Sequence, residues 1–350
     1  MGNKHRFTRI SKQKIAALLL ALMMVSAACS NNDLSTVQPE ATTTSTATTA
    51  EPVESEEQQA IDTLSVVTSF YPLYFLATEI GGEHVQVTNL IPTGVEPHDW
   101  APKSKEVKKL TDAALFLYHG VGLEGWVDSF IRGLPQQSTV QIKQMSEGIT
   151  LIDGDVSEGE ADHGHDHGED TGNSHTHAID PHTWVSPKSV IQLAENVKNS
   201  LVEVDPAHQA DYEKNYKVLQ EKLQAMDQRY EEELGKVSKR HIVVSHQAFA
   251  YLARDYNLVQ KSIMGLNPEA EPLAQDILRI AKFVKEENVQ YIFFEELISD
   301  DLAQMLAAEA GAKTMVLHPL EGLTKKQEKE GENFLTLMER NLHNLTQALQ

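Results

Sequence analysis

A chain of 350 residues, 41% hydrophobic and 23% charged, has ordinary globular composition and room for one or two cores. A formal charge of −21 excludes a nucleic-acid partner, because binding phosphate needs the opposite sign. The single cysteine, Cys29, excludes an intrachain disulfide framework.

The chain opens with a basic stretch, Lys4, Arg6, Arg9, Lys12 and Lys14, with no acidic residue. An apolar run from Ile15 to Val25 follows, too short to span a bilayer comfortably, and then the small residues Ser26-Ala27-Ala28. Residues 1–28 therefore read as a secretory signal. Placed just before Cys29, it resembles a bacterial lipoprotein signal, although Ser26 stands where Leu is usual. That resemblance implies a lipidated Cys29 anchoring the chain to the outer face of the cell membrane; a plain signal with an incidental cysteine is the alternative. Residues 29–61 are rich in Thr, Ser and Glu, with little to bury against the entropy of ordering, and read as a disordered tether. A Thr-rich tether behind such a signal leans towards a Gram-positive source. Residues 1–28 hold five basic and no acidic side chains, so the remainder carries −26, a surface that welcomes a cation.

From Leu64 onward, short β-branched runs alternate with helical segments. Strands are expected at 64–70, 85–91, 114–120 and 139–142, with helices at 71–80, 104–113 and 124–132 between them. Residues 153–177 interrupt the pattern with Gly, Asp, Glu and His, and read as an acidic, solvated loop. A helix is expected at 187–204. Asp205-Pro206 starts another of about 28 residues, whose Tyr212, Tyr216, Leu219, Leu223, Met226, Tyr230 and Leu234 recur every three or four positions as one apolar face. A second series follows: strands at 241–245, 259–265, 289–295 and 313–319, helices at 247–256, 271–287 and 302–311, and one helix over 325–349. Repeated strand–helix alternation predicts an α/β fold of parallel sheets flanked by helices. The expected plan is an N-terminal lobe over 62–204, a long rigid linking helix over 205–237 and a C-terminal lobe over 238–350.

Four motifs fall where strands give way to loops, the edge at which open α/β sheets place ligands. They are TGVEPHDW with His98, IDPHTWVSP with His182, SHQAF with His246 and HPLEGL with Glu321. Pro97 and Pro181 stiffen the backbone before their histidines. His246 is expected to open a helix, whose N-terminal dipole favours the neutral imidazole that a metal requires. Three imidazoles and a carboxylate suit tetrahedral Zn²⁺ at about 2.0–2.2 Å. Separations of 84, 64 and 75 residues exclude a local zinc finger, so the whole fold must bring these side chains together.

In this order, TGVEPHDW, DPHTWVSP, SHQAFAYLARDYNL and PLEGL resemble the zinc-binding lipoprotein subunits of bacterial ABC importers, the cluster A-I zinc-uptake family. The resemblance runs from about Leu64 to the C-terminus and includes the acidic His-rich insertion before the second motif. It implies one metal in the cleft between two lobes, held by His98 and His182 from the first and by His246 and Glu321 from the second. In manganese-binding relatives the third ligand is typically Glu and the fourth Asp, so His246 favours zinc. Glu295 and Glu296, at a strand end, compete with Glu321 for the fourth place. Their other reading is as supporting groups, like Glu96 and Asp180, which are expected to orient the imidazoles of His98 and His182.

The function implied is an extracytoplasmic, monomeric receptor that captures Zn²⁺ and delivers it to a membrane ABC permease and its ATPase subunit, with no reaction catalysed. Manganese is the alternative metal. A secreted zinc metallohydrolase is the rival class, although the chain has neither HExxH nor a nucleophile elbow; an adhesion lipoprotein is a third. Residues 163–182 hold six of the fifteen histidines. Of these His182 is assigned to the tight site, whereas His163, His165, His167, His175 and His177 read as weaker loop ligands.

Overall fold

The computed structural model describes residues 63–154, 179–269 and 272–350. The signal, Cys29, the tether and the five loop histidines from His163 to His177 lie outside the described residues.

The first series builds β1 (Leu64–Thr68), α1 (Tyr71–Gly81), β2 (Val85–Asn89), α2 (Ser104–Asp112), β3 (Leu115–Tyr118), α3 (Val127–Gly133) and β4 (Gln141–Gln144). Its strands form an all-parallel sheet in the order β2-β1-β3-β4. Helices α4 (Pro187–Val204) and α5 (Gln209–Leu234) follow, separated by a 3-10 turn at Pro206–His208. The second series is β5 (His241–Val244), α6 (Ala250–Asp255), β6 (Val259–Ser262), α7 (Ala274–Glu286), β7 (Tyr291–Phe294), α8 (Asp301–Ala310) and β8 (Lys313–Val316). It makes a second parallel sheet in the order β6-β5-β7-β8, and α9 (Lys325–Lys329) and α10 (Phe334–Ala348) complete the chain. The expected α/β architecture of two flanked parallel sheets is the one observed.

Side-chain alternation along the strands sorts the core into layers. Val66, Leu115 and Leu117 face one way, while Val67 and Phe116 face an outer layer with Leu90, Leu110 and Val127. In the second sheet Ile242, Val244 and Phe293 face inward, and Val243 and Ile292 face outward onto Ile280, Val284 and Leu306. The two inward faces belong to a single continuous core. Helix α5, about 39 Å long at 1.5 Å per residue, runs beside it. Tyr212, Leu219, Leu223, Met226, Tyr230 and Leu234 are buried, on the face expected from their spacing. That face packs on α1 and α4 on one side and α10 on the other, where Tyr230 donates to the Met338 carbonyl at 2.7 Å. Among the described residues no helix is long and apolar enough to cross a membrane.

Several strands are shorter than expected and the long helix spans Gln209–Leu234, and three further departures have a local reason. The C-terminal segment is two helices, broken where Gly331 takes φ +75° and Asn333 caps α10 by accepting from Thr336 N at 3.1 Å. Helix α3 starts three residues late, because the Glu124 carboxylate instead accepts from the backbone N–H groups of His119 and Gly120. Helix α6 starts at Ala250 and spans six residues, so His246 sits on irregular chain well before it.

Candidate metal centre

His98 lies in the loop leaving β2. Its backbone N–H donates to both oxygens of Glu96 at 3.0 Å, so this carboxylate grips the main chain and not Nδ1 of the ring. Glu96 Oε1 comes within 4.0 Å of His98 Nε2.

His182 belongs to the Asp180-Pro181-His182 turn. Asp180 Oδ1 accepts from the backbone N–H of His182 at 2.9 Å and from its Nδ1 at 2.8 Å. An ionised carboxylate only accepts, so the ring proton stays on Nδ1 and the Nε2 lone pair points away. The turn is held on both sides: Pro181 O accepts from His119 Nε2 at 2.8 Å and Asp180 O from Tyr251 Oη at 2.7 Å.

His246 follows β5 by two residues, and Glu295 follows β7 by one. Glu295 Oε1 accepts from His246 Nδ1 at 2.7 Å, which again leaves Nε2 bare. Glu321 lies in the loop after β8, and its Oε1 is buried with no hydrogen-bond partner. Glu296 is exposed, accepts from Gln327 Nε2 at 2.5 Å and is not a member of the metal-competent group.

Three Nε2 atoms and one carboxylate oxygen converge. His182 Nε2 lies 3.0 Å from His98 Nε2 and 3.3 Å from His246 Nε2. Glu321 Oε1 lies 3.4, 3.5 and 3.9 Å from Nε2 of His98, His182 and His246. A tetrahedron whose centre is about 2.1 Å from each vertex has edges of about 3.4 Å. These five of the six edges therefore bracket the length that zinc requires, and all four donor atoms lie within 4.8 Å of one another. Among the described residues this is the one group of its kind able to hold a metal, with three members buried and His98 half-buried.

Lone pairs aimed at one another are unfavourable unless a cation sits between them. Without one, protons take that part. Burial works against a charged His246, yet Glu295, Glu321 and Glu96 together outweigh it and raise its pKa to about 9. His98 is likewise raised, burial being overcome by the Glu321 carboxylate and then by Glu96. His182 is driven well below the usual histidine range by burial and by the neighbouring His246 and His98 rings. Burial lifts Asp180 to about 6 despite the His182 N–H bonded to it. The expected place of His246 at a helix N-terminus is thus corrected: α6 starts at Ala250, too late to act on the ring.

Trp184 is fully buried, edge-on to Phe70 at 4.7 Å, and its Nε1 donates to Pro319 O in the other lobe at 2.8 Å. Trp100 packs against Trp126 at 5.8 Å. Sequence reasoning missed His119 and His318, both buried at strand ends and both held neutral near pKa 4 by burial. The signal was present, since LYHG and VLHP have the same strand-then-His form as VVSH.

Comparison with known proteins sets this geometry in context. The family described as zinc-uptake complex component A, periplasmic (ZnuA), matches residues 66–348. The chain is 41% identical over 294 residues to the zinc-binding lipoprotein AdcA of Streptococcus pneumoniae, covering 84% of this chain and 57% of AdcA. It is 40% identical over 288 residues to the high-affinity zinc uptake system protein ZnuA of Bacillus subtilis, covering 82% and 88%. The Zn(II)-bound ZnuA-like domain of S. pneumoniae AdcA superposes with a TM-score of 0.68 at 37% identity, over 82% of this chain and 99% of that domain. The laminin-binding protein of Streptococcus agalactiae, described as bifunctional with adhesin and metal-transporting activity, superposes at 0.71 with 32% identity, over 82% and 100%. The chain thus spans about 57% of the length of the AdcA relatives it matches.

Proposed function

Because the chain belongs to the ZnuA family of zinc-uptake components, we propose that it is a zinc-binding receptor for high-affinity zinc uptake. The observation that carries this reading is the tetrahedral spacing of His98, His182, His246 and Glu321, with an orphaned carboxylate oxygen facing three imidazole nitrogens. Four protein donors fill a tetrahedron and leave no open position for an activated water, which argues against hydrolysis. Zinc here is cargo. Residues 62–204 and 238–350 act as the two lobes and 205–237 as the rigid link. His98 and His182 come from one lobe and His246 and Glu321 from the other, so parting the cleft divides the ligand set and frees the ion.

In the same reading a membrane ABC permease with its ATPase subunit takes the ion, and the receptor works as a monomer. Lipidated Cys29 tethers it to the outer face of the cell membrane, in keeping with a relative named as a lipoprotein. The His-rich loop adds weaker zinc sites. Manganese is disfavoured because three imidazoles suit it less well than carboxylate oxygens do. Adhesion is the second reading, favoured by the fold shared with the laminin-binding protein.

Metal analysis of protein purified without a His tag tests the proposal. Tightly held zinc is expected, and its sharp weakening in H98A, H182A and H246A. Parental zinc binding by all three variants would overturn the site assignment.

A further inference from the structure

In the loop that delivers Glu321, five main-chain polar groups have hydrogen-bond partners. His318 N donates to Asn341 Oδ1 at 2.8 Å, and Asn341 Nδ2 donates to His318 O at 2.7 Å. Pro319 O is taken by Trp184. Leu320 N donates to Nδ1 of His318 at 2.9 Å, closing a tight turn from the side chain back to the backbone two residues on. Leu323 O accepts from Gly94 N of the other lobe at 2.8 Å. Leu320 itself takes φ +65°, a left-handed conformation that disfavours a side chain with Cβ and persists only when its surroundings impose it. The next residue is Glu321.

We infer that His318 is a positioning residue for zinc: its bare Nδ1 holds the Leu320 N–H, locks that left-handed turn, and so aims Glu321 Oε1 at the three Nε2 atoms. Nothing else bonds the Leu320 N–H among the described residues. The ring is 1% exposed and lies outside the ligand set, so it positions Glu321 through the Leu320 main chain and not by ligation. An Asn side chain places its Oδ1 where Nδ1 of His stands and can accept the same bond; Leu fills the space and cannot.

This inference rests on the proposed ligand set, and E321A separates the two. Zinc affinity is measured by chelator competition on the full chain for wild type, H318L, H318N, E321A and H318L/E321A, and coordination is read from the visible spectrum with Co²⁺ as probe. H318L is expected to weaken zinc by about 10–100-fold, the usual effect of losing an outer-shell partner, and to dim the tetrahedral Co²⁺ band. H318N is expected to restore both. H318L should add little in the E321A background, because both changes disable one ligand. If H318L does not fold, H318Q replaces it, its carbonyl set one methylene beyond reach of the same geometry. Wild-type affinity and spectrum in H318L (or H318Q), an additive loss in the double variant, or failure of H318N to rescue would each overturn the inference alone. An E321A variant indistinguishable from wild type would overturn the assignment of Glu321 and this inference with it.

Discussion

The two sheets share one strand order, yet they use it differently. In each, the chain reverses direction across the sheet between its first and third strands, β1 and β3 or β5 and β7. In the second sheet those strand ends hold His246 and Glu295, a candidate ligand and the carboxylate that orients it across the sheet. In the first, the corresponding places hold Phe70 and His119, which face core and a backbone carbonyl. The first lobe's candidate donors come from the loops after β2 and β4, and the second lobe's from those after β5 and β8. Orientation differs in the same way: Asp180 holds His182 from two residues away, whereas Glu295 reaches His246 across 49 residues. One imidazole is set by a local turn and the other by sheet pairing.

Removing either oriented donor gives the largest expected effect. H182A and H246A should each weaken zinc more than about 100-fold, a fair quarter share of the roughly 10–16 kcal/mol that four-ligand zinc sites supply. Competition against a chelator of known affinity measures it. A much smaller loss in one variant would show that its imidazole is dispensable.

Exchanging the supporting carboxylates sharpens the contrast. D180N and E295Q should each reduce zinc affinity by about 10–100-fold. D180N should cost more, because Asp180 also holds the His182 main chain, whereas Glu295 lies 3.4 Å from the corresponding N–H of His246. Equal losses would erase the distinction between local and cross-sheet support.

The pH dependence should be governed by the second lobe. Zinc must expel the proton that His246 holds up to about 9, and any proton on the likewise raised His98, so affinity should rise at least about tenfold per pH unit towards that value. E295Q should move the rise to lower pH. In the ion-free protein the folded pKa exceeds the unfolded one, so the stabilisation from protonated His246 is complete below about 6.5. It is lost as pH climbs through about 9. Thermal unfolding of chelator-treated protein across that window reads it directly.

Y251F tests the one hydroxyl from α6 that props the Asp180 turn, and should destabilise by about 1 kcal/mol with only a modest loss of zinc affinity. Deleting residues 158–177 should have the smallest effect on the tight site, leaving its affinity unchanged while total bound zinc falls; calorimetric stoichiometry distinguishes the two.

Much of this was legible in the sequence because it is local. Continuous β-branched runs such as SVVTS and HIVVS, and the 3.6-residue face of α5, carry their burial pattern in neighbouring residues. Strand-end motifs then marked His98, His182, His246 and Glu321. The break at Gly331 was legible in principle, yet the surrounding helix formers masked it. What tertiary structure alone decided is which atoms face which. Glu295 and Glu321 are both acidic residues beyond parallel strands, and only the pairing of β5 with β7 turns Glu295 to a ring's Nδ1 while Glu321 meets the Nε2 atoms. Proton positions follow from that arrangement, because burial and charge depend on neighbours 49 to 223 residues away. Local chemistry selected the side chains, and long-range packing assigned each its partner.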